Sequence, residues 1–288
     1  MNLDLFGNEI IKDPILRERF IEPPFTILDT KSGNWQNRKR SWLSIGIKSE
    51  LGREVVTYAG SQRNDFMAKK MVSVGNQTSI FDPALCEVLY HWFCDKGGEI
   101  LDPFAGGSVR GIVANYLGYK YTGVDIRQEQ IDSNREQALD ILPIDNQPQW
   151  YVGDSNIVLN GFTKQFDFVF SCPPYADLEV YSDLPGDISN KPYKQFLELY
   201  ESIIAKSCNL LKKEGLACFV VGEVRNKQGN YIGFVPDTIR AFEKCGMKFY
   251  NEAILVNAYG TAMLRANGNM KSQKLVKVHQ NILVFKKS

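Results

Sequence analysis

Hydrophobic runs of strand length alternate with longer amphipathic segments from residue 99 to the end of the chain. This alternation is typical of a parallel sheet covered by helices. Strands are predicted at residues 99–104, 120–125, 149–152, 166–171, 215–222, 248–257 and 278–286. Helices are predicted between them at residues 109–117, 127–142, 193–213 and 235–245. The pattern therefore predicts an α/β fold with a seven-stranded, mostly parallel sheet.

The two ends of the chain depart from this alternation. Residues 258–277 are rich in Gly, Asn and Lys and are predicted to form a loop, so the last two strands are expected to pair antiparallel and close the sheet. The first 75 residues contain turn signals at 22–24 and 32–34 and no regular alternation. They are predicted to form an accessory segment, with the α/β domain at residues 76–288.

Composition narrows the class of protein. Hydrophobic residues make up 44% of the 288 residues, which is enough for a large core. No run of about 18 apolar residues appears, and the first residues lack a basic region followed by an apolar one, so a cytoplasmic protein without membrane spans is expected. The six cysteines form no C-x-x-C pair and the two histidines are far apart. Reduced thiols, with neither zinc nor disulfides, are therefore predicted.

Charge is unevenly distributed along the chain. Residues 30–70 carry nine basic and three acidic side chains, and residues 261–288 carry six basic side chains and no acidic one. Since the net charge is +1 and each of these segments carries +6, the rest of the chain carries −11. An acidic body with two basic segments suits a polyanion held over one face, although lysine-rich tails are often simply solvated. Aromatic residues are interleaved with the first basic segment, which favours nucleic-acid contact there.

Three successive predicted strands end in an acidic residue. The first runs into a glycine turn and then a helix, a geometry that allows close approach of a ligand to the backbone. Asp125 ends the second strand at a spacing suited to ribose hydroxyls, and Asp154 follows the third. Without a G-x-G-x-x-G motif, this pattern fits an adenosine joined to a charged amino acid better than a dinucleotide. The alternative for Asp102 and Asp154 is a helix N-cap. The first motif consists of Asp102, Pro103, Phe104, Ala105, Gly106 and Gly107.

This motif, followed by Cys172-Pro173-Pro174-Tyr175, resembles the amino-group DNA methyltransferases that make N6-methyladenine or N4-methylcytosine, particularly modification methylases of phages and prophages. The resemblance covers residues 78–287 in the gamma-type order. It implies a Rossmann-like class I methyltransferase fold, the cofactor S-adenosylmethionine, and duplex DNA as partner, in a bacterial or phage-infected cell. Ser108 departs from the family, which often has a second glycine there.

The resemblance also assigns cofactor-binding roles to individual residues. The first motif would hold the methionine part, the acid after the second strand the ribose, and the acid after the third would lie by the adenine. A looser match at residues 79–85 resembles a further cofactor motif. The cofactor-binding residues implied are Phe81, Asp102, Pro103, Phe104, Ala105, Gly106, Gly107, Asp125, Ile126, Asp154 and Ser155.

The segment from Ser171 to Tyr175 is predicted to be the reactive centre. The exocyclic amine of adenine or cytosine is a poor nucleophile because its lone pair is delocalised into the ring. Two acceptors beside the NH₂ group withdraw the lone pair from conjugation, and an aromatic ring holds the base in place. Pro173 would supply a backbone carbonyl on a turn stiffened by Pro174, and Tyr175 the stacking ring. The target base must leave its duplex to enter such a site.

Cys172 stands where the family has Asp, Asn or Ser, and a thiol is a weak acceptor. This departure leaves three interpretations. In the first, Cys172 occupies the acceptor position, and the Pro173 carbonyl or Ser171 adds hydrogen bonds. In the second, Cys172 is a nucleophile for C5 methylation of a pyrimidine, helped by Glu223. In the third, Cys172 is a packing residue at a site that binds without turnover or acts on another acceptor.

Further contacts to nucleic acid are predicted outside these motifs. Trp35, Arg38 and Arg40 are hypothesised DNA contacts, the alternative being a buried tryptophan beside solvated charges. The acidic loop at residues 176–189 is either a lid over the flipped base or an ordinary exposed loop. An RNA base methyltransferase and a non-catalytic nucleic-acid-binding module are the alternative functions.

Overall fold

A computed structural model describes residues 16–48, 81–175, 184, 186–226, 228–257 and 262–288. Its eight strands form one sheet in the order β1-β7-β8-β6-β5-β2-β3-β4. The strands are β1 (Ile27–Asp29), β2 (Glu99–Asp102), β3 (Lys120–Asp125), β4 (Gln149–Val152), β5 (Phe166–Ser171), β6 (Leu211–Val221), β7 (Met247–Val256) and β8 (His279–Lys287). The α-helices of the described residues are α1 (Leu16–Phe20), α2 (Gly33–Ser44), α3 (Pro83–Phe93), α4 (Val109–Tyr116), α5 (Gln128–Ile141), α6 (Ser155–Val158), α7 (Tyr193–Leu210), α8 (Phe234–Lys244) and α9 (Ala262–Lys271).

β8 is antiparallel to both of its neighbours, β6 and β7, while every other pairing in the sheet is parallel. The predicted antiparallel last strand is therefore confirmed. In this mostly parallel sheet the final strand, β8, lies between β6 and β7. This order of strands is the Rossmann-like arrangement expected from the sequence.

Two details of the predicted fold are wrong. The sheet has eight strands instead of seven, because Ile27–Asp29 pairs parallel with Ile254–Val256 of β7. The connection between β7 and β8 contains a helix, α9, where a loop was predicted. Ala262, Met263, Leu264 and Arg265 are strong helix formers, and they outweigh Gly268 and the asparagines that follow.

The central strands are buried on both faces. In β5, Phe168 and Phe170 pack with Tyr90 of α3 on one face, and Val169 packs on the other with the aromatic side chains of α7 and α8. Residues 172–175 directly follow the carboxyl end of this buried strand and belong to the site described below.

The N-terminal region packs directly against the α/β domain. Trp42 Nε1 donates to Glu87 Oε2 at 2.7 Å, which joins α2 to α3. Asp82 caps the N-terminus of α3 and Pro83 occupies its first turn, a favoured pair of residues at a helix start. The boundary predicted at residue 75 lies outside the described residues.

The described parts of the chain lack two further features. None of the helices there combines the length and apolar character that crossing a membrane requires. The same residues contain no group of three or more His, Cys, Asp or Glu side chains placed to hold a metal ion.

Candidate active site

A cavity of about 820 Å³ opens at the carboxyl ends of the parallel strands. Ligands bind at this edge in open α/β sheets, because the strand-to-helix turns leave a crevice there. The structure brings both predicted groups of residues, the cofactor motifs and the reactive turn, to the same cavity. The predicted residues that line it are Phe81, Pro103, Phe104, Gly106, Asp125, Ile126, Asp154, Ser155, Cys172, Pro173, Pro174 and Tyr175.

Asp102 lies behind the cavity wall, fully buried. One carboxylate oxygen accepts from Arg110 Nε at 2.5 Å and the Tyr121 hydroxyl at 2.7 Å; the other accepts from Ser171 Oγ at 2.5 Å and the Phe104 amide at 3.1 Å. All four partners belong to the protein. The structure therefore assigns Asp102 a positioning role, in place of the predicted direct contact with a cofactor.

Arg110 is the cation that balances Asp102, and sequence reasoning missed it. Its side chain is 6% exposed and lines the cavity, with the guanidinium 4.7 Å from the centre of the Phe81 ring. Burial lowers the pKa of Arg110, but the Asp102 carboxylate outweighs that effect and raises it. Arg110 also donates to the carbonyls of Phe104 and Ala105, so it holds the glycine turn in shape.

Besides Asp102, three of the predicted cofactor-binding and catalytic residues are not part of the cavity lining. Ala105 is buried, and its amide donates to the Val124 carbonyl at 2.9 Å. Gly107 is half-buried beside it in the turn. Ser171 is fully buried, and its hydroxyl donates to Asp102. Ser171 therefore cannot supply the extra hydrogen bond to a target base that the sequence led us to expect.

Asp125 ends β3 and faces the cavity with a fixed carboxylate. One oxygen accepts from the Gly106 amide and the other from the Arg127 amide, both at 2.9 Å. Gly106 adopts a left-handed φ of 52°, which favours glycine and brings its N–H group to Asp125. Burial raises the pKa of Asp125, and the two amide hydrogen bonds oppose that rise. Each oxygen retains a lone pair for a ligand hydroxyl.

Asp154 caps α6 and lines the cavity at the same time. Its Oδ1 atom accepts from the Asn156 amide at 2.8 Å, so the N-cap interpretation is correct for this residue. A Cβ atom on Gly186 would lie 3.1 Å from Asp154 Oδ2 and 3.0 Å from Ile126 Cδ1. The backbone at residue 186 thus closely covers this end of the cavity.

Tyr175 is held from three sides. Its hydroxyl accepts from Gln280 Nε2 of β8 at 2.6 Å, and its ring meets Phe234 edge to face with centroids 6.1 Å apart. A Cβ atom on Gly222 would lie 3.4 Å from Tyr175 Cε1, so the backbone of Gly222 packs beside the ring. Gln280 was not predicted, because a partner 105 residues away leaves no local signal in the sequence.

Glu223 also lines the cavity, but its carboxylate caps a helix. Oε1 accepts from the amides of Val224, Gly233 and Phe234 at 2.9–3.1 Å, and Oε2 accepts from Val235 at 3.4 Å. These bonds fix Glu223 at the N-terminus of α8. They give this carboxylate a structural role, which weakens the interpretation that it assists C5 methylation.

The predicted DNA contacts in α2 have other partners. Trp35 is 1% exposed and donates to Asp82, so its ring has no free face for a base, and the predicted contact is wrong. Arg38 forms an ion pair with Glu87 at 2.6 Å. Arg40 is exposed and donates to Asn37. Lys39, between them, reaches the cavity and pairs with Asp82 at 3.2 Å.

Part of the predicted lid and of the first basic segment falls on undescribed residues. Residues 176–183 and 185 of the loop at 176–189 lie outside the described residues. The same is true of residues 49–70 of the basic segment and of residues 79 and 80 of the motif at 79–85. Asp187 and Ile188, at the end of the loop, line the cavity.

No family model matches the chain, and no curated protein matches it. Several solved methyltransferases are similar in fold. TrmN from Thermus thermophilus has a TM-score of 0.48 at 14% identity, over 72% of this chain and 49% of that one. Magnesium protoporphyrin IX methyltransferase from Synechocystis PCC 6803 with bound SAM has 0.48 at 14%, over 80% and 87%. A TehB-like SAM-dependent methyltransferase from Corynebacterium glutamicum has 0.44 at 16%, over 77% and 95%. The chain thus spans about half the length of the first of these.

Proposed function

We propose that the protein transfers a methyl group from S-adenosylmethionine to the exocyclic amino group of adenine or cytosine in DNA. The observation that carries this proposal is a shared cavity, lined both by Asp125 and Asp154 and by the turn from Cys172 to Tyr175. A cofactor held by the two acids would lie beside a turn of the type that binds an amino group. The volume of about 820 Å³ is large enough for a nucleoside cofactor together with a base.

The residues present fit the proposed cofactor. Asp125 offers fixed carboxylate oxygens for the ribose hydroxyls, and Ile126 and Asp154 would surround the adenine. Arg110, a cation in the wall beside Phe81, is placed to attract the carboxylate of the amino-acid part. When bound, the cofactor supplies a methyl group on a sulfonium centre, ready for transfer to a nucleophile.

The turn after β5 would position the target base. The carbonyl of Pro173 can accept one hydrogen of the amino group, and two consecutive prolines limit its movement. Tyr175 would stack on the base with its ring fixed by Gln280 and Phe234. Because Ser171 donates to Asp102 inside the core, Cys172 is the side chain left at the second acceptor position.

The proposal is tested by mass spectrometry of nucleosides from DNA of cells that express the protein. The expected result is N6-methyladenine or N4-methylcytosine, at a much lower level in cells that express the Tyr175→Ala variant. C5-methylated pyrimidine would contradict amino methylation, and methyl groups found in RNA alone would contradict DNA as the substrate. Tight cofactor binding with no transfer to any nucleic acid would instead support a non-catalytic binding module.

Cofactor affinity is expected to fall on acidification because of Asp125. Burial raises the pKa of this carboxyl above its ordinary value of 3.8, so protonation begins at a higher pH than for an exposed aspartate. The neutral acid loses acceptor capacity for ribose. The same shift has the opposite sign for folding: the native state holds the proton more tightly, so acidification through this pKa stabilises it.

Calorimetric titration with S-adenosylhomocysteine from neutral to mildly acidic pH measures this effect. Asp125→Asn should bind more weakly at neutral pH and lose the pH dependence. An unchanged pH dependence in that variant would assign the titration to another group.

Cys172→Ser is expected to retain amino methyltransferase activity within about tenfold, because a hydroxyl is a better acceptor than a thiol of similar size. A covalent C5 mechanism requires the thiolate, so the same change would abolish that activity. Initial rates of labelled methyl transfer distinguish the two. Cys245→Ser, at a half-buried cysteine outside the cavity lining, controls for nonspecific loss of a thiol.

A further inference from the structure

Two insertions into the sheet meet at one side of the cavity. The first is a hairpin between β6 and α8, closed by an antiparallel bridge between Arg225 and Tyr231. The second is α9 with the chain that follows it to β8. They touch, because a Cβ atom added to Gly229 of the hairpin would collide with Lys274 Nζ. The two insertions therefore form one surface.

This surface carries positive charge from both insertions. Residues 262–278 contain four basic side chains and no acidic one. Two of the four, Arg265 and Lys277, line the same cavity as Tyr175. We call the following five residues the basic rim: Arg225, Arg265, Lys271, Lys274 and Lys277.

The side chains of the rim are held in different ways. Arg225 donates to the Gly229 carbonyl at 2.7 Å and lies 3.8 Å from the centre of the Tyr231 ring. Lys277 is half-buried 3.5 Å from Asn281 Oδ1, and burial lowers the pKa of its ammonium, so an anion beside it would relieve an electrostatic cost. Glu223 is the carboxylate that acts on Lys277, and it is engaged in capping α8.

Large apolar side chains are exposed on the same surface. Met263 and Leu264 on α9 are 71% and 74% exposed, Leu275 is 75% exposed, and Tyr231 is 49% exposed. Cations for phosphates interleaved with apolar and aromatic faces for bases are the pattern of a nucleic-acid-binding surface. A protein partner with an acidic patch would complement the charge, but it would not explain why the rim borders the cavity that contains Tyr175.

We propose that the basic rim binds the sugar–phosphate backbone of DNA next to the target base, and that Tyr231, Met263 and Leu264 contact the neighbouring nucleotides. This inference rests on the proposed function and adds the surface that presents the substrate to the cavity. α2, predicted from the sequence to contact DNA, borders the same cavity through Gln36 and Lys39.

The test is fluorescence anisotropy with a short labelled DNA duplex of mixed sequence, with S-adenosylhomocysteine present, over a range of KCl concentrations. The variant Arg265→Gln/Lys271→Gln/Lys274→Gln should bind at least tenfold more weakly at low salt. The slope of log Kd against log salt concentration should fall by about 2–3, since each phosphate contact contributes about 0.9. Cofactor binding, measured by calorimetry, should stay within twofold.

The matched control is Lys96→Gln/Lys120→Gln/Lys164→Gln. It removes the same charge from exposed lysines at the amino ends of the strands, away from the cavity. Equal weakening in both triple variants, or wild-type affinity and slope in the rim variant, overturns the inference. Rim-dependent binding of an RNA stem-loop without binding of duplex DNA overturns DNA as the occupant. Rim-dependent DNA binding without methyl transfer supports the surface and contradicts the proposed function, so the two failures are distinguishable.

Discussion

Tyr175→Ala is expected to lower the rate of methyl transfer to DNA by more than tenfold. Stacking of a base on an aromatic ring contributes about 1–3 kcal/mol, and loss of the ring also loosens the position of the target amine. Because Tyr175 is anchored by Gln280 and by Phe234, its ring needs little reordering when a base enters. Initial rates of labelled methyl transfer at saturating cofactor measure the change.

Two companion variants separate stacking from other effects. Tyr175→Phe keeps the ring and loses only the hydrogen bond from Gln280, so its rate should stay within tenfold of wild type. Tyr151→Ala removes a tyrosine that is 41% exposed and outside the cavity lining, and it should have little effect on rate. A Tyr175→Ala enzyme with near-normal rates would refute the assignment of the reactive turn.

Asp102→Asn is expected to produce the largest loss of stability of any single change considered. The variant leaves the Arg110 cation buried without its counter-charge. The new NH₂ group replaces an oxygen that accepts two hydrogen bonds, so it lies against groups that are themselves donors. Breaking a buried ion pair costs about 3–5 kcal/mol. For a chain of this size the melting temperature, measured by calorimetry, should fall by roughly 10 °C. Urea unfolding measures the corresponding loss in the free energy of unfolding.

The control for this prediction is Asp132→Asn. Asp132 is 57% exposed and pairs with Arg135 at 3.3 Å, an arrangement worth about 0.5 kcal/mol or less. Asp102→Leu/Arg110→Met, which removes both charges together, should recover part of the stability lost by Asp102→Asn. Equal stability of Asp102→Asn and wild type would mean that the pair does not support the glycine turn.

The parts of the site that depend on the order of strands along the chain could be predicted from the sequence. The carboxyl ends of parallel strands must meet at one edge, so the order of strands along the chain is enough to group the acids after β3 and β4 with the turn after β5. The antiparallel direction of the last strand was predicted correctly, although the connection that was predicted to be a loop contains α9. Cofactor, base and partner remain proposals, because they depend on chemistry beyond the fold.

The errors have a common physical cause. A motif residue such as Asp102 can hold the turn in place without touching a ligand. Whether such a residue contacts the ligand depends on its burial, which the sequence does not show. Trp35 was misjudged for the same reason, since nearby basic residues do not show on which side of a helix an aromatic ring lies. Gln280 was missed because its partner Tyr175 is 105 residues away in the chain. Arg110 is only eight residues from Asp102, but its position in the motif does not show that its side chain turns back to pair with that buried carboxylate.

The short strand β1 has a consequence for the solution behaviour of the protein. β7 is apolar near its end, and Ile27–Asp29 covers that end through parallel pairing and the Thr30 hydrogen bonds to the Val256 carbonyl. An exposed strand edge is a template for pairing with other chains, and a three-residue strand preceded by Pro23 and Pro24 is a poor one. Removal of the chain up to and including β1 would therefore expose the edge of β7. We expect such a fragment to self-associate through this edge.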